Sequence, residues 1–394
     1  MRIAFIGSHE RSLVNFRRTL IEQLQASGGE ALAVSWSQPG SQAAELRALA
    51  SRAVYLGAPG ARLSPLLDLV AIFRLFWTFV RNRPDCALVF AGKPIGLGSL
   101  VCMALGIPTV VLLEGKGSGF LKPGLVKRAN SMLFQLAFRG AASVLVLNKD
   151  DRDWVRELMA SPQFPVELLP GIGVELDRFS PNVPVPSSSF RVLFLGRLAR
   201  SKGLEVLIRA FAKFAASFES QASSERGKPT LSLYGPPADG EDALSEAQIK
   251  QIAAQHGEEI AYHGSVSHQQ IPEVIAAHSI VVVPSISAEG LPATIQEAFA
   301  AGRPVIATDV VGSRDAMALD QIPRDTQSFD HPFGAVVPPD DVDALASALG
   351  QANADLAVLQ AKGQAARAYA AENYARHKVD TRLLDYLRQA AAGQ

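Results

Sequence analysis

Short apolar runs alternate with stretches of helical periodicity along most of the chain. The first series is RIAFIG, ALAVSW, CALVFAG, PTVVLLEG and SVLVLN, and the second, after residue 189, is RVLFLG, TLSLYG, IAYHG, IVVVPS and PVIAT. Runs that are apolar throughout are typical of strands buried on both faces, and their alternation with helices predicts parallel sheets with crossover helices. The pattern therefore predicts an α/β protein with two doubly wound, Rossmann-like domains.

The limits of these domains follow from the breaks in the pattern. The segment LPGIGVELDRFSPNVPVPSSSF separates the two series and has no periodicity. We predict an N-terminal domain at 1–170, a linker at 171–189, a second domain at 190–370 and a C-terminal helix at 371–394 that packs back on the first domain. Residues 341–392 are expected to be helical, with breaks near Gly350 and Gly363. Ligands of such sheets bind beyond the carboxyl ends of the strands, in the cleft expected between the domains.

Residues 66–80, LLDLVAIFRLFWTFV, are apolar on all sides of a predicted helix. One interpretation is a well-buried crossover helix, and the other is a helix that lies in a membrane interface, with Arg74, Arg81 and Arg83 beside its aromatic residues. Asp68 and the strand that follows favour the buried helix.

Charge separates the two halves of the chain. The 38 basic and 38 acidic residues give no net charge, which argues against a general nucleic-acid binder. Residues 1–150, however, contain 17 Lys and Arg against 8 Asp and Glu, which leaves 21 against 30 for the remainder. This asymmetry is either scatter in surface composition or the mark of a basic half that meets an anionic acceptor or an anionic membrane surface.

The cysteines and the lack of a long apolar run indicate the cellular compartment. Cys86 and Cys102 lie among apolar residues without metal-like spacing, which indicates free buried thiols in a reducing compartment and no zinc site. MRIAFIGSHERS is too short an apolar stretch for a signal peptide, and no uncharged apolar run reaches the length of a membrane span. A cytoplasmic protein is expected, at most peripheral at the inner face of the cytoplasmic membrane.

Two carboxylates stand out in SAEGLPATIQEAFAAGRPV, residues 287–305. Glu289 is expected on the loop at the carboxyl end of a strand, and Pro292 suits the first turn of a helix that continues to Gly302. Gly290 allows close approach of the backbone to a ligand, and free N–H groups at the helix start favour an anion such as a diphosphate. Glu297, within the helix, can accept hydrogen bonds from both hydroxyls of a ribose. The alternative is an ordinary loop glutamate and an ordinary helix glutamate.

A second stretch, FLGRLARSKGLEVL at 194–207, places two cations at the end of another predicted strand. Arg197 follows Gly196 at the strand end, and Lys202 opens the next helix. An arginine fork and a lysine point charge at the ligand edge would neutralise a diphosphate, although basic residues flank many strands.

These motifs together resemble those of a known family. In order along the chain they are Gly196-Arg197, Lys202-Gly203, Tyr234-Gly235, His263-Gly264, Pro284-Ser285, Glu289-Gly290-Leu291-Pro292, Glu297-Ala298 and Gly302-Arg303-Pro304-Val305. Their order and spacing resemble the retaining glycosyltransferases of family 4, with the E-x7-E pair as hallmark. The first domain resembles more loosely the bacterial members that extend lipid-linked or surface polysaccharide chains.

The resemblance implies a GT-B fold and a hexosyltransferase (EC 2.4 class) that transfers a sugar with retention of configuration, without a metal or other cofactor. Arg197 and Lys202 would bind the diphosphate of the donor. Glu297 would bind the ribose, and Glu289 with the backbone of Gly290, Leu291 and Pro292 the sugar. Gly196 would line the donor site, and the base would lie near Tyr234 and His263. The donor is expected to be a UDP-sugar and the acceptor a glycan or a polyprenyl-diphosphate-linked sugar.

The first domain departs from the family pattern. Where many members have a histidine near the reacting sugar, this chain reads LLEGKGSG, so that Glu114 or Lys116 is the candidate for that role, against the alternative that Glu114 is a helix-capping or surface carboxylate. Gly7 and Ser8 occupy the place of the family's glycine loop, and His9 is more simply a solvated side chain. The turn at Gly115, Gly117 and Gly119 suits an acceptor phosphate near Lys116, Lys122, Lys127 and Arg128.

Two other functions compete with sugar transfer. A degenerate member would bind a nucleotide or a glycan without turnover, which the departure at Glu114 favours and the intact set of Arg197, Lys202, Glu289 and Glu297 disfavours. A GT-B nucleotide-sugar epimerase would share the fold but lacks this E-x7-E context.

Overall fold

The structure is a computed structural model of the 394-residue chain, and it describes residues 1–60, 64–116, 120, 124–180, 183–219, 227–238, 242–319 and 329–393. The chain divides into two compact units, Met1–Ile172 with Arg376–Gln394 and Gly173–Ala375. Gly117, Gly119 and Lys122, considered above for an acceptor phosphate, lie outside the described residues.

The first unit is built on a seven-stranded sheet of parallel strand pairs, in the order β3-β2-β1-β4-β5-β6-β7. Its strands are β1 (Arg2–Gly7), β2 (Glu30–Ser35), β3 (Arg52–Tyr55), β4 (Cys86–Phe90), β5 (Thr109–Leu113), β6 (Ser143–Val146) and β7 (Glu167–Leu168). The connecting helices are α1 (Glu10–Ala26), α2 (Ala43–Leu49), α3 (Pro65–Asn82), α4 (Ser99–Ala104), α5 (Leu125–Arg139) and α6 (Lys149–Leu158). Strands β4 and β5 are buried along their whole length, as their apolar runs predicted.

The second unit contains a six-stranded parallel sheet in the order β10-β9-β8-β11-β12-β13. Its strands are β8 (Ser189–Leu195), β9 (Gly227–Tyr234), β10 (Ile260–Tyr262), β11 (Ile280–Val283), β12 (Val305–Thr308) and β13 (Gly334–Val337). Its helices are α7 (Leu204–Glu219), α8 (Glu246–His256), α9 (Ile271–Ala276), α10 (Ala293–Ala300), α11 (Ser313–Ala316), α12 (Val342–Ala354) and α13 (Leu356–Asn373). The prediction of two doubly wound sheets is confirmed.

The last helix, α14 (Arg376–Ala392), belongs to the first unit and packs on α1. The Arg376 guanidinium donates to the Phe16 carbonyl at 2.7 Å, and the Cys86 thiol donates to the Leu387 carbonyl at 3.3 Å. The returning C-terminal helix was therefore predicted correctly, although it begins at Arg376 rather than at residue 371. Residues 173–189, assigned above to a linker, belong to the second unit.

The predicted breaks in the C-terminal helical region were wrong. Gly350 lies inside α12 and Gly363 inside α13, whereas the helices end at Ala354 and at Asn373. Asp355 caps α13 by accepting a hydrogen bond from the Ala357 backbone N–H at 2.8 Å. A Cβ atom at position 363 would lie 2.2 Å from the Gly302 carbonyl oxygen, so this glycine serves close packing rather than helix termination.

Helix α3 is not buried on all sides, so the favoured interpretation of residues 66–80 was wrong. Its inner side, with Ala71, Leu75 and Phe79, is packed in the core. Large apolar side chains, among them Leu66 and Phe73, are exposed on its outer side. Only one side of a crossover helix faces its sheet, and the other side of α3 is mainly apolar, with Arg74 and Arg81 as its exposed charged residues. No helix within the described ranges is long and apolar enough to cross a bilayer.

Both cysteines are buried and free, as predicted. Burial raises the pKa of the Cys86 thiol to about 12 and raises that of Cys102 further, so neither thiol is ionised near neutral pH. The sequence pattern missed β3, β7 and β13, which are all strands at sheet edges and contain four residues or fewer.

Candidate functional site

The predicted donor residues gather at the carboxyl edge of the six-stranded sheet. Because its strands are parallel, the ends of β8, β9 and β11 lie at one edge. Gly196 and Arg197 follow β8, Tyr234 ends β9, and the loop with Glu289 follows β11. Segments that are far apart in sequence thus supply one group of side chains.

Glycines allow the backbone segments at this edge to touch. A Cβ atom at Gly235 would lie 1.6 Å from the Gly196 carbonyl oxygen, and one at Gly203 would lie 1.9 Å from the Pro284 carbonyl oxygen. Both Gly203 and Gly235 also have positive φ angles, 69° and 151°. The Lys-Gly and Tyr-Gly motifs therefore have a packing reason for their glycines.

Lys202 and Glu289 form an ion pair at the centre of this edge. The Lys202 Nζ lies 2.5 Å from Glu289 Oε2, and the Ser285 hydroxyl donates to Glu289 Oε1. The side chains of Lys202 and Glu289 are only 21% and 16% exposed, so the pair is shielded from solvent. Lys202 stands in the 3-10 turn Arg200–Lys202 between β8 and α7. The pair therefore joins the ends of two neighbouring strands.

Arg197 differs from Lys202 in having a free side chain. It is exposed, and within the part of the chain that the structure describes its guanidinium makes no hydrogen bond or ion pair. A guanidinium presents several donors in a planar fork, which suits two oxygens of a phosphate group. Arg197 is thus the cation of this edge that is available to an incoming anion.

The helix after Glu289 begins one residue later than predicted. Pro292 is the cap residue with φ −61° and ψ 117°, and α10 starts at Ala293 and ends at Ala300. The Thr294 hydroxyl donates to the Leu195 carbonyl at 3.1 Å, which holds the helix start against the end of β8. Backbone N–H groups at a helix start favour an anion. The loop itself is fixed because the Glu289 N–H donates to the Val311 carbonyl at 3.0 Å.

Glu297 lies on α10 in a largely buried position, with 13% of its side chain exposed. Its Oε1 is 3.9 Å from His268 Nε2, and the Arg178 guanidinium approaches His268 Nδ1 to 3.0 Å. The motifs did not include His268, which lies on the loop after β10, or Arg178. Arg178 belongs to the 3-10 turn Leu176–Arg178, in the segment that was assigned to a linker.

Tyr234 and His263 stack on each other, with ring centroids 4.7 Å apart and planes inclined by 16°. They follow the adjacent strands β9 and β10, so the aromatic pair continues the same edge of the sheet. Stacked rings of this kind offer a flat face to a nucleobase.

In the first unit, Gly7 ends β1 and Ser8 is buried. A Cβ atom at Gly7 would lie 2.8 Å from the Phe90 ring, which explains the small residue there. The nearby Glu10 accepts hydrogen bonds from the backbone N–H groups of Gly40 at 3.0 Å and Gln42 at 2.8 Å. The loop after β1 is therefore held to the segment before α2.

Glu114 follows β5 and forms an ion pair with Arg17 of α1. Arg17 is 1% exposed, donates to the Phe16 carbonyl at 2.9 Å and lies over the Phe90 ring at 4.9 Å. Glu114 itself is half-buried and paired, so it is not a free surface carboxylate. The sequence contains a signal for this pair, because Arg17 occupies a position on the apolar face of α1, with Leu13, Leu20 and Leu24.

Lys116 turns toward α6 rather than toward Glu114. Its Nζ lies 3.8 Å from Asp151 Oδ1 and 5.5 Å from the centroid of the Trp154 ring. Asp151 is buried near the start of α6, where it accepts a hydrogen bond from the Asn148 side chain at 2.9 Å. Among the described residues there is no group of three or more His, Cys, Asp or Glu side chains that could hold a metal ion.

Family models match both parts of the chain. The model described as glycosyl transferase 4-like domain matches residues 14–171, and the one described as glycosyl transferases group 1 matches residues 189–355. The two matches follow each other along the chain and together account for most of its length.

Curated relatives are more distant. The chain is 26% identical over 326 residues to an N,N'-diacetylbacillosaminyl-diphospho-undecaprenol alpha-1,3-N-acetylgalactosaminyltransferase of Campylobacter jejuni, with 81% of this chain and 83% of the relative covered. It is 27% identical over 233 residues to a putative teichuronic acid biosynthesis glycosyltransferase of Bacillus subtilis, with 57% and 52% covered. The match thus spans about half the length of the second relative.

Solved structures with the same fold cover the chain almost completely. Sucrose-phosphate synthase from Thermosynechococcus elongatus has a TM-score of 0.77 at 19% identity, with 100% of both chains covered. Anabaena HepE, crystallised with UDP and glucose, has a TM-score of 0.74 at 18% identity, with 99% of this chain and 100% of that chain covered. The two family models, the relatives and the fold agree. The chain belongs to the family 4 type of GT-B glycosyltransferases and is a hexosyltransferase.

Proposed function

We propose that the protein transfers a hexose, with retention of configuration, from a UDP-sugar to a lipid-linked or polysaccharide acceptor in bacterial surface glycan synthesis. The binding of a nucleotide-sugar donor is supported by the shielded pair of Lys202 and Glu289 and by the exposed Arg197 at the same edge of the sheet. A lysine, a free guanidinium and a helix start at one sheet edge make a site for a diphosphate.

In this proposal each donor residue has a separate role. Arg197 and Lys202 bind the diphosphate, and Glu297 accepts hydrogen bonds from the ribose hydroxyls. Glu289 and the backbone of 290–292 bind the sugar, while the Tyr234–His263 pair contacts the base beside Gly196. The low exposure of Glu289 and Glu297 supports these roles, because hydrogen bonds to a shielded carboxylate are stronger than those in water. One structural neighbour, Anabaena HepE, was crystallised with UDP and glucose, with UDP and with UDP-glucose, which supports the choice of nucleotide.

The acceptor half is assigned to the first unit. Gly7, Ser8, Glu114 and Lys116 lie at or just beyond the carboxyl ends of β1 and β5. The name of one relative includes a diphospho-undecaprenol-linked sugar and that of another teichuronic acid biosynthesis, and the basic composition of residues 1–150 suits an anionic acceptor. Glu114, held by Arg17, is the carboxylate that would orient the acceptor hydroxyl.

The proposed reaction exchanges one bond for another on the same face of the sugar. The acceptor oxygen bonds to the anomeric carbon while the bond from that carbon to the diphosphate oxygen breaks. The acceptor proton passes to the departing phosphate oxygen, and UDP leaves. Arg197, Lys202 and the N–H groups at the start of α10 stabilise the charge that grows on the diphosphate, so no metal or other cofactor is required in this scheme.

The proposal is tested by turnover of UDP-, GDP- and ADP-sugars with a membrane lipid extract as the source of acceptor. We expect UDP-sugars to react, EDTA to leave the rate unchanged and the new glycosidic bond to have the configuration of the donor. Glu297→Ala should lower kcat/KM by about 10²-fold or more, since two hydrogen bonds to a charged group are lost. The control is Glu273→Ala on α9, an exposed glutamate of the same unit. Equal rates for wild type and Glu297→Ala would refute the ribose assignment.

A further inference from the structure

Helix α3 carries a continuous apolar surface on its outer side. Leu66, Leu69, Val70, Phe73 and Trp77 are spaced as neighbours on one helix face, and all five are exposed. Leu66 is 81% exposed and Phe73 64% exposed. Single exposed apolar residues are ordinary, but a contiguous patch of this size marks a contact surface.

The charges beside this patch are of one sign. Arg74, Arg81 and Arg83 are exposed, and the Arg81 guanidinium lies 5.9 Å from the centroid of the Trp77 ring. Asp68, the one acidic residue in the sequence of α3, faces inward and accepts hydrogen bonds from Lys93 Nζ at 2.8 and 2.9 Å. The outer side of α3 therefore combines aromatic and leucine side chains with arginines and has no carboxylate.

The neighbouring helices extend the same surface. The connections β3 to β4, β4 to β5 and β5 to β6 all advance in one direction through the sheet. Because such crossovers are right-handed, α3, α4 and α5 lie on one face of the sheet. Helix α4 contacts both α3 and α5. This face also exposes apolar and basic residues on α4 and α5, namely Met103, Val126, Lys127, Arg128 and Met132.

We propose that this surface, α3 with the exposed parts of α4 and α5, binds an anionic lipid bilayer. A helix with a Leu, Phe and Trp face and flanking arginines is the form that lies in a membrane interface, where apolar side chains enter the acyl boundary and cations meet anionic headgroups. Charge complementarity selects an anionic bilayer over a neutral one. With 18 residues, α3 is about 27 Å long and would lie flat on the membrane.

The orientation of the helices gives the surface a role in the proposed reaction. Helices α3 and α5 begin at the carboxyl edge of the sheet, because each runs back against its parallel strands. Leu66, Lys127 and Arg128 therefore lie toward the end of the unit that also carries Glu114. A membrane-borne acceptor would reach that edge without leaving the bilayer surface. This role rests on the proposed function, whereas lipid binding itself does not.

The test is flotation of the full chain with vesicles, without donor or acceptor. One set of vesicles is phosphatidylcholine, and the other is phosphatidylcholine and phosphatidylglycerol in equal parts. We expect binding to the mixed vesicles only. Phe73→Glu should weaken this binding by about tenfold or more, since an aromatic anchor is replaced by a charge that anionic lipid repels. Its melting temperature and UDP affinity should equal those of the wild type.

Val358→Glu is the matched control, because Val358 is also an exposed apolar helix residue but lies in the second unit. Val358→Glu should bind vesicles like the wild type. Glu297→Ala should also bind vesicles like the wild type, although it should fail in sugar transfer, so that lipid binding and the proposed function are tested separately. The inference is overturned if the wild type does not float, if it floats equally with both vesicles, or if Phe73→Glu floats like the wild type. A wild-type dimer that Phe73→Glu converts to a monomer, without flotation of either, would instead assign the surface to a second copy of the chain.

Discussion

The Lys202 ammonium group contacts the Glu289 carboxylate at 2.5 Å, across 87 residues of sequence. The exposed pair of Lys213 and Asp343 has a similar distance, 2.7 Å, but its side chains are 58% and 77% exposed. A solvent-exposed pair contributes little because water screens it, whereas a shielded pair holds each partner in one orientation. Lys202 and Glu289 are therefore expected to act as one unit in binding the donor.

A double-mutant cycle tests this unit. Lys202→Ala and Glu289→Ala should each lower kcat/KM by about 10²-fold or more, and the double variant should be only slightly worse than either, with a coupling energy of about 1–3 kcal/mol. The matched control is Lys213→Ala, which should leave kcat/KM unchanged. If the two single effects add, Lys202 does not position Glu289 and the residues contact the donor independently.

The sequence predicted which residues meet at this edge of the sheet better than it predicted their contacts. Arg197, Lys202, Glu289 and Glu297 could be placed at one edge because each follows or lies near the carboxyl end of a buried strand, and parallel strands bring those ends together. The direction of a side chain depends on packing between distant segments. The Lys202–Glu289 pair, and the contact of Glu297 with His268, were therefore not available from spacing alone.

The ion pair of buried Arg17 and half-buried Glu114 yields a prediction on stability and turnover together. Arg17→Met should lower the free energy of unfolding of the first unit by about 1–3 kcal/mol, because the half-buried Glu114 is left without its cation. Glu114→Gln keeps a hydrogen-bond acceptor for Arg17 but removes its counter-charge, so it should also destabilise the first unit, and turnover per folded molecule should fall by about 10²-fold if the carboxylate orients the acceptor.

Arg18→Met is the control for Arg17→Met, because Arg18 lies on the same helix and its ion pairs with Glu22 and Glu45 are more exposed. It should change stability by less than about 1 kcal/mol. Chemical denaturation and steady-state rates give both readouts. Full turnover in Glu114→Gln would restrict Glu114 to a structural role.

Gly350 and Gly363, which were predicted to break helices, give opposite predictions for stability. Gly363→Ala should destabilise the second unit by about 1–3 kcal/mol, because its Cβ would lie 2.2 Å from the Gly302 carbonyl oxygen and the helix would have to shift. Gly350→Ala should stabilise it by about 0.5–1 kcal/mol, since the nearest atom to its Cβ is in the Phe214 ring at 4.0 Å and alanine favours the helix. Thermal unfolding of both variants measures the difference, and equal effects would contradict the packing argument.

These glycines also mark what periodicity cannot supply. A glycine in an alanine-rich helical stretch reads as a break when only local propensity is considered. The reason for Gly363 is a backbone carbonyl that approaches from a segment about sixty residues away in sequence, and only the folded chain brings the two together. Helix α3 is a second example, because its apolar sequence predicted a helix but did not indicate which side packs on the core.

Buried histidines predict how stability depends on pH. Burial lowers the pKa of His278 and of His331 to about 4, because a charged imidazole would lose its water in these positions. In the unfolded chain a histidine has a pKa of about 6.5. Below that value the unfolded state binds protons that the folded state does not, so the second unit should lose stability as pH falls from about 6.5 to about 4. The loss is about 1.4 kcal/mol per pH unit for each histidine, and none is expected above pH 6.5 from these groups.

Urea unfolding between about pH 7.5 and pH 5 measures this dependence. The His278 ring contacts the Val274 carbonyl at 2.6 Å, and His278→Gln retains an amide donor for that carbonyl. This variant should lower the slope of unfolding free energy against pH by the contribution of one proton. His256→Gln, at an exposed position of α8, should keep the wild-type slope. If His278→Gln also kept it, the imidazole of His278 would be protonated in the folded state, and acid sensitivity would have to arise from carboxylates that lose their partners.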